Sequence, residues 1–269
     1  MSSPRILLTN DDGIDAPGLT ALAEVLDSLG EVLVVAPAAE QSAMGRSLSY
    51  GRKEMSYTED VPLRYEPTDA GYGYEIVGQQ RERGYALAGS PSDCAIVGIT
   101  AFERPDIVVS GCNDDTNLGA GVLTRSGTVS AAIEAAYLGV SSVAVSTDGA
   151  PYENAAAVTR LLVEWTLDQG LETANYLNVN VPSGGSPSPR LTRPCPAYEM
   201  DAQRTATGFH VTNRLERAHA ELDVDQSPPD TDRRAFIECG ETSISPLALP
   251  TRPVEPEASE ALLQAGAVI

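Results

Sequence analysis

The sequence predicts an α/β protein built on a doubly wound, mostly parallel sheet. Short apolar runs suited to buried strands alternate with segments whose apolar residues recur at helical spacing, as far as about residue 181. The first and third strand runs end abruptly in polar, glycine-containing turns. Open parallel sheets carry their sites beyond such strand ends.

The first run, Arg5-Ile-Leu-Leu-Thr9, breaks off in Asn10-Asp11-Asp12-Gly13. Pro17 favours a helix first turn, with Asp15 as the expected N-cap. Leu19, Leu22, Ala23, Leu26 and Leu29 then share one face, and Gly30 is the expected stop. Val32–Ala36 is the next strand, parallel to the first. Residues 37 to 88 break the rhythm with glycines, Pro62, tyrosines and short alternating runs such as Tyr74-Glu-Ile-Val77. They predict a β-rich insertion.

Ser90-Pro91-Ser92-Asp93 has the form of an N-cap with Pro at the first helical position and an acid three residues on. Ala95, Ile96, Ile99 and Phe102 give that helix its buried face. Asp106–Ser110 is the third strand and leads into Gly111-Cys-Asn113-Asp-Asp-Thr-Asn117-Leu-Gly119. The helix opened by Ser126-Gly127-Thr128 buries Val129, Ala132, Ile133, Ala136 and Tyr137. A strand at Ser142–Ser146, a helix from about Tyr152 to Gln169 and a strand at Tyr176–Val181, expected to close the sheet, complete the pattern.

Pro182–Pro189 has the composition of a boundary. It divides residues 1–185, the sheet domain, from residues 186–269, which cannot obviously bury a core alone. Extended hairpins packed on the first domain or on a second subunit are expected there. No internal repeat is visible.

The chain carries 38 acids against 18 bases, a formal net charge of −20, and its only lysine is Lys53. That charge repels nucleic-acid polymers and acidic membranes. An acid-rich, lysine-poor surface suits molar salt, where the Debye length shrinks to about 3 Å, and predicts a halophilic source. Cys94, Cys112, Cys195 and Cys239 form no C-x-x-C pair and predict reduced thiols. Without a signal-like N-terminus or an apolar stretch of membrane-spanning length, a soluble, cytoplasmic protein is expected.

Asp11 and Asp12 repel one another unless something positive lies between them. A divalent cation with oxygen ligands answers that need, and a solvated turn is the competing reading. Ser42, beyond the second strand, and Asn113, after the third, would add oxygen ligands; each is equally at home in a turn. Ser126-Gly127-Thr128 offers a helix N-terminus able to cradle a phosphate, or a plain N-cap. No Walker A or G-x-G-x-x-G fingerprint is present, so no large nucleotide cofactor is implied. The two histidines, His210 and His219, both follow residue 186. A Ser-His-Asp hydrolase within the first domain is thereby excluded, and metal-assisted phosphoester hydrolysis fits. A phospho-accepting receiver domain also sets adjacent aspartates after its first strand. It needs an accepting aspartate after a later strand and a lysine beyond, and neither is in place here.

Asn10-Asp11-Asp12-Gly13-Ile-Asp-Ala16-Pro17-Gly18 resembles the opening signature of the SurE (survival protein) nucleotidases. The resemblance continues through Val34-Val-Ala-Pro37 with Gln41-Ser42, Gly89-Ser-Pro91-Ser-Asp93-Cys94, Pro105–Asn113 and Asn117-Leu-Gly119. It extends through Ser126-Gly-Thr-Val129 with Ala131-Ala132 and Glu134, Leu177–Pro182, Thr231-Asp232 and Ser243–Leu247. Nearly the whole chain is covered, with the motifs in order. The resemblance implies a metal-dependent phosphomonoesterase for nucleoside monophosphates, a 5′-nucleotidase with possible 3′ activity. It implies one Mg²⁺ or Mn²⁺ per subunit on Asp11, Asp12, Ser42 and Asn113, with Asp11 and Asp12 as the catalytic pair. Phosphate contacts from Asn117, Ser126, Gly127 and Thr128 are implied too. So are a Rossmann-like core and a C-terminal arm (186–269) that builds a homodimer or homotetramer.

Three departures stand out. Asp114-Asp115 follow the metal-ligating asparagine where the family has a small residue and glycine, and carboxylates there repel a phosphate unless they face away or bind cation. Ala43 replaces a glycine after Ser42. Arg125 precedes Ser126, where its charge could offset the two acids. A non-catalytic nucleotide-binding or scaffold protein of the same fold is the alternative.

Overall fold

The structure, a computed structural model, describes residues 3–49, 66–68, 71–171, 175–184, 188–196, 200–213 and 228–249. Lys53, His219, residues 223–227 and the end of the chain lie outside them. The central sheet has nine strands. Its middle is β1 (Arg5–Thr9), flanked by β2 (Glu31–Pro37) and by the seventh strand of the chain. The described residues of the insertion supply four strands, β3 (Glu66–Thr68), β4 (Gly71–Gly73), β5 (Gly78–Arg81) and β6 (Gly84–Leu87). The first two make a separate two-stranded ladder. β6 lies parallel to β2, and β5 runs antiparallel at the edge. β7 (Ile107–Asn113), β8 (Ser142–Thr147) and β9 (Tyr176–Val181) continue the parallel sheet on the other side of β1.

Helices α1 (Pro17–Leu26) and α5 (Glu153–Gln169) cover one face, and α2 (Pro91–Thr100) and α4 (Gly127–Tyr137) the other. A short α3 (Ala120–Leu123) leads into α4. Leu22 and Leu26 of α1 meet Ile6, Leu8, Val109 and Val143 in one core, while Leu7, Val35 and Val108 face α2 in the second. Burying each such side chain contributes about 1.5–3 kcal/mol, which is why both faces of these strands are apolar. The capping box of α2 forms as expected. Ser90 accepts from the Asp93 N–H at 3.1 Å, and the Asp93 carboxylate accepts from the Ser90 N–H at 2.7 Å.

Three local expectations are corrected. The N-cap of α1 is Ala16, not Asp15, and no side chain caps it; Pro17 alone sets the helix start. The helix stops at Leu26, four residues before Gly30, and Leu29 packs on the core from the following turn. Among the described residues Tyr74–Val77 pairs with no strand, and Val77 is exposed.

The sheet does not close at Val181. β10 (Pro189–Leu191) and β13 (Thr242–Leu247) extend it, β13 antiparallel to β9 and β10 parallel to β13 at the edge. Segments beyond residue 185 thus complete the main sheet. Between them β11 (Met200–Arg204) and β12 (Phe209–Asn213) form an antiparallel hairpin outside it. This is the extended hairpin expected of the tail.

The strand order runs β10-β13-β9-β8-β7-β1-β2-β6-β5. From β1 the chain moves outward to β2 and β6, then returns through α2 to β7 on the opposite flank. Connections therefore diverge between β1 and β7, and the crevice beyond their carboxyl ends is the preferred place for a ligand. Thr9 pairs with Ser110, so Asp11-Asp12 and Asn113 emerge side by side.

Candidate active site

A cavity of about 780 Å³ opens at that switch point. Asp11, Asp12, Ser42, Asn113, Asn117 and Ser126 line it, so six of the eight expected site residues converge there. Gly127 and Thr128 sit directly behind.

The turn after β1 is held by its own amide. Asn10 donates through Nδ2 to the Gly13 carbonyl at 2.8 Å and accepts from the Gly13 N–H at 3.2 Å. This Asx-type clamp turns Asp11 and Asp12 across the strand ends. The loop after β2 is fastened to the same turn, because the Gln41 N–H donates to the Asp11 carbonyl at 2.7 Å. Ser42 is thereby brought beside the aspartates, its hydroxyl donating to Glu40 at 2.8 Å. Ala43 adopts φ +59°, a left-handed backbone that costs a non-glycine residue about 1–2 kcal/mol and explains why glycine is customary there. Arg46 closes the far end of the loop, 4.7 Å over the Tyr137 ring and 3.4 Å from Glu134.

Asn113 ends β7 after an irregularity in register between Ser110 and Asn113. Gly111 makes this possible, since a Cβ there would lie 2.3 Å from the Val145 carbonyl oxygen. Asn113 donates its amide to the Asp115 carbonyl, so Oδ1 is the atom that could hold a cation.

Asp11 is 4% exposed, and its carboxylate accepts the Thr128 hydroxyl. Burial pushes its pKa up, opposed by that bond and by the N–H groups of Thr128 and Gly127. The start of α4 therefore holds a carboxylate of the chain itself. Gly127 and Thr128 hold Asp11, and Thr128 is fully buried; phosphate contact from this helix start belongs to the proposal below. A Cβ on Gly127 would sit 2.7 Å from both Cβ and Oδ2 of Asp11, so glycine is required for the approach. Ser126 is the N-cap of α4, accepting from the Val129 N–H at 3.2 Å.

Asp12 is pushed up to about 7, first by burial and then by the Asp11 charge, with Asp114 and Glu40 adding to the rise against a hydrogen bond from the Asp114 backbone. Its Oδ2 is buried without a hydrogen-bond partner. A buried, unpartnered carboxylate oxygen beside a second carboxylate fits a divalent cation as its partner. The donors on offer are all hard oxygens, the set that Mg²⁺ and Mn²⁺ take. Among the described residues no three His, Cys, Asp or Glu side chains converge as a ligand group. The set is two aspartates completed by a hydroxyl and an amide oxygen. Cys112 lines the same cavity, and burial first and the Asp12 charge second push its thiol up to about 12.

Asn117 is fixed by β8 and β9. Its N–H donates to Asn180 Oδ1 at 2.7 Å, its carbonyl accepts from Asn178 at 2.9 Å, and its side chain donates to Ser146 at 2.8 Å. Asn178 and Asn180 thus serve the loop rather than the core. Replacing Asn180 by Leu leaves the buried Asn117 N–H unsatisfied and is expected to cost about 1–3 kcal/mol. Thermal denaturation reads this, and an unchanged melting temperature would refute the role. Asp232 fastens the same loop from the tail, accepting from Gly119 and Cys195 N–H groups at 2.8 Å each.

Sequence reasoning missed Glu40, Tyr152 and Met200, all of which line the cavity. Glu40 carried a signal, an acid two residues before Ser42. Met200 carried none, since it arrives on the β11–β12 hairpin. Tyr152 donates to Asp114 Oδ1 at 2.8 Å and is pushed up to about 12, by burial first and that bond second, so its hydroxyl remains a donor.

The family model described as "Survival protein SurE" matches residues 6–219. A protein of Halobacterium salinarum named 5′-nucleotidase SurE is 42% identical over 263 residues, covering 92% of each chain. One of the same name from Haloarcula marismortui is 38% identical over 283 aligned positions, covering 98% of this chain and 96% of its own. The crystal structure of the SurE protein of Aquifex aeolicus superposes with a TM-score of 0.74 at 29% identity, covering 97% of this chain and all of the other.

Proposed function

The chain belongs to the SurE family, and from that premise we propose that it is a 5′-nucleotidase that releases phosphate from nucleoside monophosphates with the help of one Mg²⁺ or Mn²⁺. The observation that carries the metal dependence is the adjacent pair of aspartates, Asp11 buried and Asp12 half-buried, with an orphaned Asp12 Oδ2. Asp11, Asp12, Ser42 and Asn113 would hold the ion. A divalent cation supplies charge neutralisation at the phosphoryl oxygens and makes water a stronger acid.

The chain's own residues do the rest. Thr128 and the start of α4 lock Asp11 in one orientation, so little reorganisation accompanies binding. The phosphate takes the cavity wall formed by Asn117 and by the start of α4 at Ser126, Gly127 and Thr128. Arg125, the one basic residue lining the cavity among those described, adds positive charge at its rim. Cleavage at the 3′ position belongs to the same proposal, since nothing in the cavity fixes which ester oxygen faces Asp12.

A halophilic source is supported by the charge of −20 and by the haloarchaeal relatives. No described helix is long and apolar enough to cross a membrane; a cytoplasmic location is part of the proposal. A homodimer or homotetramer built through residues 186–269 is supported by the exposed Phe209 and Val211 of the hairpin. Neither a nucleic-acid polymer nor a membrane is proposed as a partner, given the charge.

The test is phosphate release from a panel of nucleoside monophosphates in molar KCl, with Mn²⁺, Mg²⁺ or EDTA. Release with either metal and loss of nearly all activity in EDTA is expected. Undiminished activity in EDTA would remove the cation from the proposal. Nucleotide binding by folded protein with no release under any metal would favour the non-catalytic alternative.

A further inference from the structure

Asp114 is the carboxylate whose presence beside a phosphate site most needs explaining. It is exposed, lines the cavity, and carries a backbone hydrogen bond to Asp12, so it stands next to the cation-binding pair. It does not swing freely, because Oδ1 accepts the Tyr152 hydroxyl at 2.8 Å at the start of α5. A carboxylate tethered by a neutral donor keeps a fixed place.

We propose that Asp114, held by Tyr152, is a specificity-determining residue that accepts hydrogen bonds from the ribose hydroxyls of a nucleoside monophosphate and repels the second phosphate of a di- or triphosphate. The inference rests on the nucleotidase reading of the same cavity. When a monophosphate sets its phosphate against Asp11 and Asp12, the next group outward is a neutral sugar with O–H donors. Carboxylates are the usual partners of ribose hydroxyls. When the terminal phosphate of a triphosphate takes that place, the next group outward is another anion. It then faces Asp114, with Asp115 and Glu40 also on the wall and Arg125 the only base there among the described residues. Like charges at such distances in a partly desolvated cavity lower affinity by about tenfold per pair, less at high salt.

The experiment compares kcat/KM for AMP, 2′,3′-dideoxy-AMP, ATP and inorganic tripolyphosphate under Mn²⁺. It uses the wild-type chain, Asp114→Asn and Tyr152→Phe at two KCl concentrations. Wild-type protein is expected to prefer AMP to ATP and to tripolyphosphate. Asp114→Asn should cut that preference about tenfold and narrow the advantage of AMP over its dideoxy analogue, since a neutral amide oxygen is a weaker acceptor than a carboxylate. Tyr152→Phe keeps the charge but frees it, and should move both ratios the same way by less. Raising KCl should narrow the wild-type preference more than that of Asp114→Asn, which a merely structural role would not produce. If Asp114→Asn fails to fold, Tyr152→Phe and the salt series decide alone. Active wild-type protein whose substrate ratios are unmoved by either variant overturns this inference and leaves the nucleotidase reading standing. Wild-type protein inactive on every substrate overturns both.

Discussion

Asp11→Asn is expected to lower phosphate release by about 10³-fold, roughly 4 kcal/mol of transition-state stabilisation, with the fold intact. The substitution removes one charge from the cation site. It keeps an Oδ1 that can still accept the Thr128 hydroxyl, so the start of α4 loses little. The pair of steady-state rate and melting temperature separates chemistry from stability. A variant with more than a tenth of wild-type activity would show that Asp11 is a structural cap of α4 and no more.

Gly127→Ala carries the second large effect. The added methyl would meet Asp11 Cβ and Oδ2 at 2.7 Å, a separation that real Cβ atoms do not show. Either Asp11 leaves the site or the start of α4 shifts away from it. Overpacking of this kind costs about 1–3 kcal/mol of stability. Displacing a ligand by an ångström is expected to cost on the order of 10²-fold in rate. Activity and thermal stability should therefore fall together, whereas Asp11→Asn separates them. A Gly127→Ala protein with wild-type rate and stability would mean that the approach of α4 to Asp11 is looser than described.

The sheet was legible where local chemistry decides it. Ile6, Leu7 and Leu8 form a buried strand because both faces of β1 are covered, and an apolar run needs no further information. Ser90 and Asp93 announced the start of α2 because capping is settled within four residues. Asp15 misled because an acid before a proline looks like a cap, while the backbone placed Ala16 there instead. The additions at the sheet edge were hidden for a different reason. Thr242–Leu247 mixes two serines and a proline into a short run, and its partner β9 lies more than sixty residues earlier. Only a neighbour with an open edge makes it a strand.

The site divides the same way. Asp11, Asp12 and Asn113 could be found because each stands where an apolar run stops. That Thr128 serves Asp11 could not, because the bond joins residues 117 apart in the chain. The same holds for Asn178 and Asn180, which sequence offered only as part of a motif. Their purpose, holding Asn117, needs the sheet to be assembled first. Asp114 was visible as an anomaly, but the hydroxyl that tethers it comes from α5.

The most direct measurement is anomalous X-ray diffraction from crystals soaked in Mn²⁺ and a nonhydrolysable nucleoside monophosphate analogue. One manganese peak is expected, bounded by Asp11, Asp12, Ser42 and Asn113, with the phosphate beside Asn117 and Ser126. Manganese absent from those four residues, in protein that hydrolyses nucleotides under the same conditions, would contradict the cation site and move the chemistry elsewhere in the cavity.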